Sequence, residues 1–207
     1  MPEDRDWFAQ RLHLHLDPYL ALTSRQIDQL FDHFELLRRW NVRINLTSIR
    51  SPEEIVLRHY CESLYFASVL PEMHSCADIG SGAGFPGVPL AVVRPECRVA
   101  LIESHQRKAV FLRESTRELK NVLVLGERAE DVGERFEWIV SRAVAPEDVM
   151  KLIPKLASRV ALLAGSAELE GTNTSPWITW AEPTRLPWGE RRFAITGVPR
   201  GTSNLER

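Results

Sequence analysis

Cysteine is scarce in this chain: among 207 residues only Cys61, Cys76 and Cys97 occur, and no two of them have C-x-x-C spacing. That excludes a disulfide-stapled scaffold and a cysteine zinc site, and free thiols suit a reducing cytoplasm. Long apolar runs are also lacking, since none approaches the ~20 residues that a membrane-spanning helix needs. The first sixteen residues are acidic at their start and hold no uninterrupted apolar run, so they do not read as a signal peptide. Charge of one sign is not in excess: 26 Lys and Arg face 28 Asp and Glu, for a net charge of −2. Any contact with a polyanion must therefore come from a local basic face. The six histidines are scattered, and His13 and His15 lack further ligands at metal-binding spacing, so no metal is expected. The phosphate-loop pattern GxxxxGK[ST] is missing as well. What remains, 44% hydrophobic and 26% charged residues, is the profile of one globular core with an extension.

The most informative stretch is Cys76-Ala77-Asp78-Ile79-Gly80-Ser81-Gly82-Ala83-Gly84-Phe85-Pro86-Gly87. A short apolar run reads as a buried strand ending at Asp78-Ile79. The glycines that follow supply the positive φ of a tight turn and let a ligand approach the backbone. Pro86 suits the first turn of a helix, where its missing N–H costs nothing. Strand, Gly-rich turn and helix form the opening unit of a nucleotide-binding α/β domain. Gly82 to Gly87 matches the dinucleotide pattern GxGxxG, so an NAD enzyme is a rival. Asp78 at the strand end and the additional Gly80 weigh against it, because a carboxylate repels a pyrophosphate. A ligand with an amino group and a cationic sulfonium gains from that charge, and S-adenosylmethionine (SAM) is such a ligand.

A second apolar run, Arg98 to Ile102, ends in Glu103, nineteen residues beyond Gly84. An acidic residue at this place in a doubly wound fold accepts hydrogen bonds from ribose hydroxyls, which both ligands carry. Further strands are predicted at Val122–Leu125, Trp138–Ser141 and Arg159–Leu163, with helices at about 105–119, capped by Ser104, and from Pro146 to about Leu156. The alternation gives a parallel α/β sheet. Ala129 and Glu130, in the loop after the third strand, are placed to meet an adenine. Arg142, at the end of the fourth strand, faces the same crevice. Residues 166–176 show no apolar period and are expected to form a loop; 177–180 and 192–196 read as terminal strands, and 199–207 as a frayed end.

Before the sheet the chain reads as helical. Trp7, Phe8, Leu12 and Leu16 suit a short helix over 3–16. Thr23-Ser24 opens an amphipathic helix to about Trp40. Ser51-Pro52-Glu53-Glu54 is a helix start with its own cap, for a helix running toward Val69. Residues 1–70 are thus expected to form a helical extension packed on a core of residues 71–207. The run Arg38-Arg39-Trp40-Asn41-Val42-Arg43 is read first as cations compensating a helix dipole, with an RNA-contacting patch as the sharper alternative.

Asn45-Leu46-Thr47, Arg58-His59, the Asp78–Gly87 stretch, Arg128-Ala129-Glu130 and Ser141-Arg142-Ala143, in this order, closely resemble the bacterial small-subunit rRNA guanine-N7 methyltransferases, also called glucose-inhibited division protein B. The resemblance covers roughly residues 25–165. It implies a class I SAM-dependent methyltransferase (Rossmann-like) fold: a seven-stranded sheet with helices on both faces, preceded by the helical extension. It implies methyl transfer from SAM to N7 of a guanosine in the 530 loop of 16S rRNA, with the rRNA or the small ribosomal subunit as partner and a cytoplasmic monomer as the acting form. Another RNA, a protein or a small molecule is the alternative substrate, and a degenerate nucleotide-binding regulator is a second class. The cofactor-binding set becomes Asp78, Gly80, Gly82, Gly84, Phe85, Glu103, Ala129, Glu130 and Arg142. The RNA-contacting candidates are Arg39, Arg43, Asn45, Arg58, His59 and Arg142. No residue is nominated as a general base, because N7 carries a free lone pair. Where the family has Lys-Gly after the fifth strand, this chain has Ala164-Gly165.

Overall fold

The computed structural model describes residues 3–172, 176–189 and 191–200. The chain begins with α1 (Arg5–Leu16), capped by Asp4, whose Oδ1 accepts the Trp7 N–H at 2.9 Å. Helix α2 (Ser24–Ile44) starts with a capping box between Thr23 and Gln26 and ends at Asn45 in the left-handed conformation (φ 49°). It runs past the predicted end at Trp40 because Asn41 still faces inward, where its Oδ1 accepts the Thr47 N–H at 2.9 Å. The next helical run opens as α3 (Pro52–Ile55), widens into a π turn over Val56–Cys61, and continues as α4 (Glu62–Val69). A π turn inside a helix rotates the following side chains relative to an unbroken α-helix.

The sheet consists of β1 (Ser75–Ile79), β2 (Arg98–Ile102), β3 (Val122–Leu125), β4 (Trp138–Arg142), β5 (Arg159–Gly165), β6 (Ile178–Trp180), β7 (Thr184–Arg185) and β8 (Arg192–Pro199). Helices α5 (Gly87–Val93), α6 (Gln106–Ser115), α7 (Pro146–Leu156) and α8 (Ser166–Thr172) lie between the strands. The strand order is β3-β2-β1-β4-β5-β8-β6. Pairing is parallel from β3 to β5, and β8 is antiparallel to β5 and β6. The expected seven strands are this path, and the two-residue β7 paired to β8 is an addition. The order reverses between β1 and β4, so a crevice opens beyond the carboxyl ends of those strands.

Alternate residues of each central strand enter different cores, as the period of two requires. Cys76, Val99 and Leu101 join Phe8, Leu12, Phe34, Tyr60 and Phe111 in one cluster. Ala77, Ile79, Ala100 and Ile102 join Val149, Ile153 and Val160 in the other. The N-terminal helices and α5 and α6 cover one face, and α7 covers the opposite one.

Four local expectations change. Residues 166–172 form α8, not a loop. The Gly165 N–H donates to Glu168 Oε2 at 2.7 Å and Leu169 packs on the second cluster, so a single apolar contact leaves no period to detect. The N-cap position of helix α6 is His105, not Ser104, without a side-chain capping bond, and the helix stops at Ser115, where the Thr116 hydroxyl donates to the Leu112 carbonyl at 2.7 Å. Pro86 is the N-cap of α5 and not its first helical residue. At the other end, Pro199 still belongs to β8 and the Arg200 N–H donates to the Trp177 carbonyl; the rest of the end read as frayed lies outside the described residues. Among the described residues no helix is long and apolar enough to cross a membrane.

Candidate functional site

The loop after β1 is fixed by hydrogen bonds to β2. The N–H groups of Gly80 and Ser81 both donate to the Ile102 carbonyl, at 3.0 and 3.1 Å. The Gly82 N–H donates to Glu103 Oε2 at 2.9 Å, while Glu103 Oε1 accepts the His105 N–H at 2.8 Å. One carboxylate thus ties the Gly-rich loop to the start of α6. Gly80, Gly82 and Gly84 all have positive φ (68°, 57° and 90°), where a Cβ is strained. Asp78 lies beneath this loop. It is fully buried, its Oδ2 accepts the Gly87 N–H at 3.1 Å, and its Oδ1 has no hydrogen-bond partner among the described residues. Burial pushes its carboxyl up to about 7, with a smaller push from the Glu103 charge and an opposing pull from the Gly87 N–H.

A cavity of about 360 Å³ opens where the segments after β1, β2, β3 and β4 meet, lined by Gly80, Glu103, Ala129 and Glu130 together with Ile79 and Val144. A Cβ on Gly80 would stand 2.9 Å from Val144 Cγ2, so the bare backbone keeps that wall open. The ionisable lining is predominantly acidic: Glu103, Glu127, Glu130 and Asp148 outnumber the single Arg128.

The remaining predicted cofactor residues lie elsewhere. Gly84 is pressed between α5 and α2, where a Cβ would meet Val88 Cγ2 of α5 at 2.6 Å and His33 Nε2 of α2 at 3.1 Å. The Phe85 ring is buried, stacked on His59 at 4.7 Å and edge-on to Tyr60 at 5.0 Å. Arg142 stands apart from the cavity lining, in an ionic cluster around Glu62.

The predicted RNA contacts also separate into two groups. Arg39 and Arg43 are exposed near the end of α2, and Arg39 lines an open groove of about 500 Å³ with Arg38 and Arg50. Asn45 is exposed and its Oδ1 accepts from Arg50 at 3.0 Å. Arg38 is tied to Glu3 at 2.8 Å. His59 differs from the rest: it is buried, its Nε2 lies 2.8 Å from the Thr47 hydroxyl, and burial lowers it to about 3. Its place in the structure is internal, under Phe85. Arg58 joins the Glu62 cluster. Glu62 and Arg192, which complete that cluster, were not singled out in the sequence. A glutamate inside the apolar run Tyr60-Cys61-Glu62-Ser63-Leu64 was the available signal; nothing in the sequence pointed to Arg192.

Residues 26–168 match the family described as rRNA small subunit methyltransferase G, GidB. The chain belongs to the GidB family. A ribosomal RNA small subunit methyltransferase G from Roseiflexus sp. (strain RS-1) is 47% identical over 135 residues, 61% of this chain and 58% of its own length. A protein of the same name from Nitrosospira multiformis is 41% identical over 147 residues, covering 68% and 67% of the two chains. The one from Burkholderia ambifaria is 38% identical over 186 residues, covering 83% and 77%. The match thus spans less than two thirds of the length of the Roseiflexus relative. The fold is that of class I SAM-dependent methyltransferases. A SAM-dependent methyltransferase from Aquifex aeolicus superposes with a TM-score of 0.58 at 15% identity, over 75% of this chain and 97% of its own. Magnesium protoporphyrin IX methyltransferase from Synechocystis, solved with SAM bound, gives 0.56 at 12% identity, over 81% and 97%. In this GidB chain the family match includes Glu62 and Arg142 and ends before β8, so Arg192 lies beyond it.

Proposed function

We propose that this chain transfers a methyl group from SAM to N7 of a guanosine in the 530 loop of 16S rRNA, in the cytoplasm. The observation that carries the cofactor is the acidic lining of the cavity at the carboxyl edge of β1, β2, β3 and β4. Four carboxylates against one guanidinium repel the pyrophosphate of a dinucleotide, and suit a ligand with a sulfonium, an ammonium and a ribose. The small-subunit rRNA substrate follows from the family, and the guanine N7 and the 530 loop from the motif resemblance.

The residues fit such a ligand. Gly80 removes the side chain that would fill the wall, and Glu103 presents acceptor oxygens beside the cavity. Ala129 and Glu130 bound its other side from the turn after β3. When bound, SAM would be held by Gly80, Glu103, Ala129 and Glu130 and would supply an activated methyl group to the N7 lone pair, with the sulfur as leaving group. No proton must be removed first, so the protein's work is to align the two partners and exclude water. Asp78, held under the loop through Gly87, and Glu103, held by Gly82 and His105, keep the loop in place for that alignment.

Isotopically labelled SAM incubated with unmodified small subunits, and with naked 16S rRNA alongside, tests the reading. Label is expected at one guanine N7 in the 530 loop. Label on another RNA, on protein or on a small molecule would replace the substrate, and tight NAD binding in place of SAM would overturn the cofactor.

A further inference from the structure

Glu62 is buried at the start of α4 and surrounded by three guanidiniums. Arg142 Nη2 lies 3.5 Å from Glu62 Oε2, Arg58 Nη1 lies 3.6 Å from Oε1, and Arg192 Nε lies 3.7 Å from Oε2. Among the described residues one carboxylate faces three guanidiniums, a surplus of two positive charges. The contacts are ion pairs too long to be hydrogen bonds, and two atoms at the centre, Glu62 Oε2 and Arg142 Nη1, are buried with no hydrogen-bond partner among the described residues. An unsatisfied buried donor costs about 1–3 kcal/mol. Such a group in a charged cluster points to a ligand that supplies an acceptor. Arg142 stays charged at neutral pH, since burial lowers it only to about 10.

The placement decides what that ligand is. Arg142 ends β4, and Arg192 pairs in register with Gly165 at the end of β5. Both stand at the carboxyl edge of the sheet on the β4 and β5 side of the switch point. The acidic cavity is centred beyond β1, β2 and β3 and reaches Val144, Asp148 and Leu152 after β4, and none of Arg58, Arg142 and Arg192 lines it. Two of the three guanidiniums remain open to solvent, with side-chain exposures of 44% for Arg58 and 26% for Arg192. A cluster that is closed at one arginine and open at two suits an anion arriving from outside on a larger molecule.

The geometry points to an oxyanion clamp formed by Arg58, Arg142 and Arg192 on a Glu62 base, which holds a phosphodiester of the RNA beside the nucleotide being modified. This rests on the RNA-methyltransferase reading. Glu62 is a positioning residue that keeps three mutually repelling guanidiniums converged, and the phosphate oxygens accept the N–H groups that lack partners in the free protein. The carboxylate of SAM has the same oxyanion chemistry, and the experiment separates the two sources.

The full-length variants Arg192→Gln and Arg192→Lys are compared with wild type in SAM affinity by calorimetry, small-subunit RNA affinity across a salt series, and kcat and KM for methyl transfer. For Arg192→Gln, RNA affinity is expected to fall about ten- to a hundredfold, the loss of one charge-assisted contact. The slope of log affinity against log salt should shrink by about 0.7–0.9, and SAM affinity should not change. KM for RNA rises accordingly, and Arg192→Lys restores the salt slope. A fall in SAM affinity instead would assign the cluster to the cofactor carboxylate and overturn the clamp. Unchanged RNA affinity and slope would overturn it too, and continued methylation of rRNA by the wild type would then leave the wider reading standing. If the wild type modifies no RNA, that reading fails by itself. Stabilisation of the wild type but not of Arg192→Gln by a short ribo-oligonucleotide would still uphold the phosphate site, and equal stabilisation of both would reject it.

Discussion

The Gly-rich loop allows backbone strain and side-chain crowding to be measured separately, through three glycine-to-alanine substitutions. Gly133 has a φ outside the left-handed region and nothing within 4 Å of a built Cβ. Gly82 has φ 57° but only the Gly80 carbonyl at 3.7 Å. Gly84 has φ 90° and would place its methyl 2.6 Å from Val88 Cγ2 and 3.1 Å from His33 Nε2. Val88 and His33 are both fully buried, in α5 and α2, so neither yields cheaply. Gly133→Ala should be neutral or slightly stabilising, by up to about 1 kcal/mol through the unfolded chain. Gly82→Ala should carry the left-handed penalty alone, about 1–2 kcal/mol. Gly84→Ala should add an overpacking cost of about 1–3 kcal/mol to the same penalty, for a total of about 2–5 kcal/mol. At ~2–4 °C per kcal/mol for a chain of this size, the ligand-free melting temperature should hold for Gly133→Ala. It should fall by a few degrees for Gly82→Ala and by roughly 5–15 °C for Gly84→Ala. Calorimetric or fluorescence melting reads all three. If Gly84→Ala melted with Gly82→Ala, the seam between the loop and α2 would be soft, and the claim that the N-terminal helices brace this loop would fail.

Asp78 gives a pH signature. Its carboxyl is raised to about 7 in the folded protein, so the native state binds the proton more tightly than the unfolded chain, and stability is lost as pH rises from about 4 to about 7. His33 and His59, lowered by burial to about 4 and about 3, act in the opposite direction, with stability lost as pH falls below about 6.5. Asp78→Asn keeps an acceptor for the Gly87 N–H and should be the more stable protein at pH 8, with the advantage shrinking toward pH 5. Chemical denaturation at both pH values checks it, and an advantage independent of pH would refute the assignment. Glu103→Ala removes the acceptor for the Gly82 and His105 N–H groups and should weaken SAM binding by about tenfold or more. Glu130→Gln, exposed at the rim of the cavity, should change it much less. Calorimetric titration of SAM separates the two, and equal losses would show that Glu103 has no special role in the loop.

The central fold was legible because a parallel sheet announces itself: each buried strand is a short apolar run, each turn carries glycine or proline, and alternation follows. The same logic failed for α8, whose seven residues bury too little apolar surface to leave a period. It failed for β7, two residues long and held by pairing to β8. At the site, the loop residues nearest the glycines were easy to nominate, yet motif membership did not say which way each residue faces. Gly80 borders the cavity and Gly84 packs on α2 from the N-terminal segment, although both are glycines of one motif. His59 reads as a polar neighbour of Arg58, and the π turn places it in the core under Phe85.

The sequence by itself determined the strand and helix alternation, the left-handed turns that only glycine adopts freely, the carboxylates that close β1 and β2, and the motifs that mark the family. These depend on neighbours within a few residues, where covalent geometry and hydrophobic period decide. The tertiary structure decided what depends on distance across the chain: the acidic charge balance of the cavity, the burial that raises Asp78 and lowers His59, and the meeting of Glu62 with Arg58, Arg142 and Arg192. Burial and electrostatic coupling act through space, and Glu62 and Arg192 become neighbours only when β8 inserts beside β5.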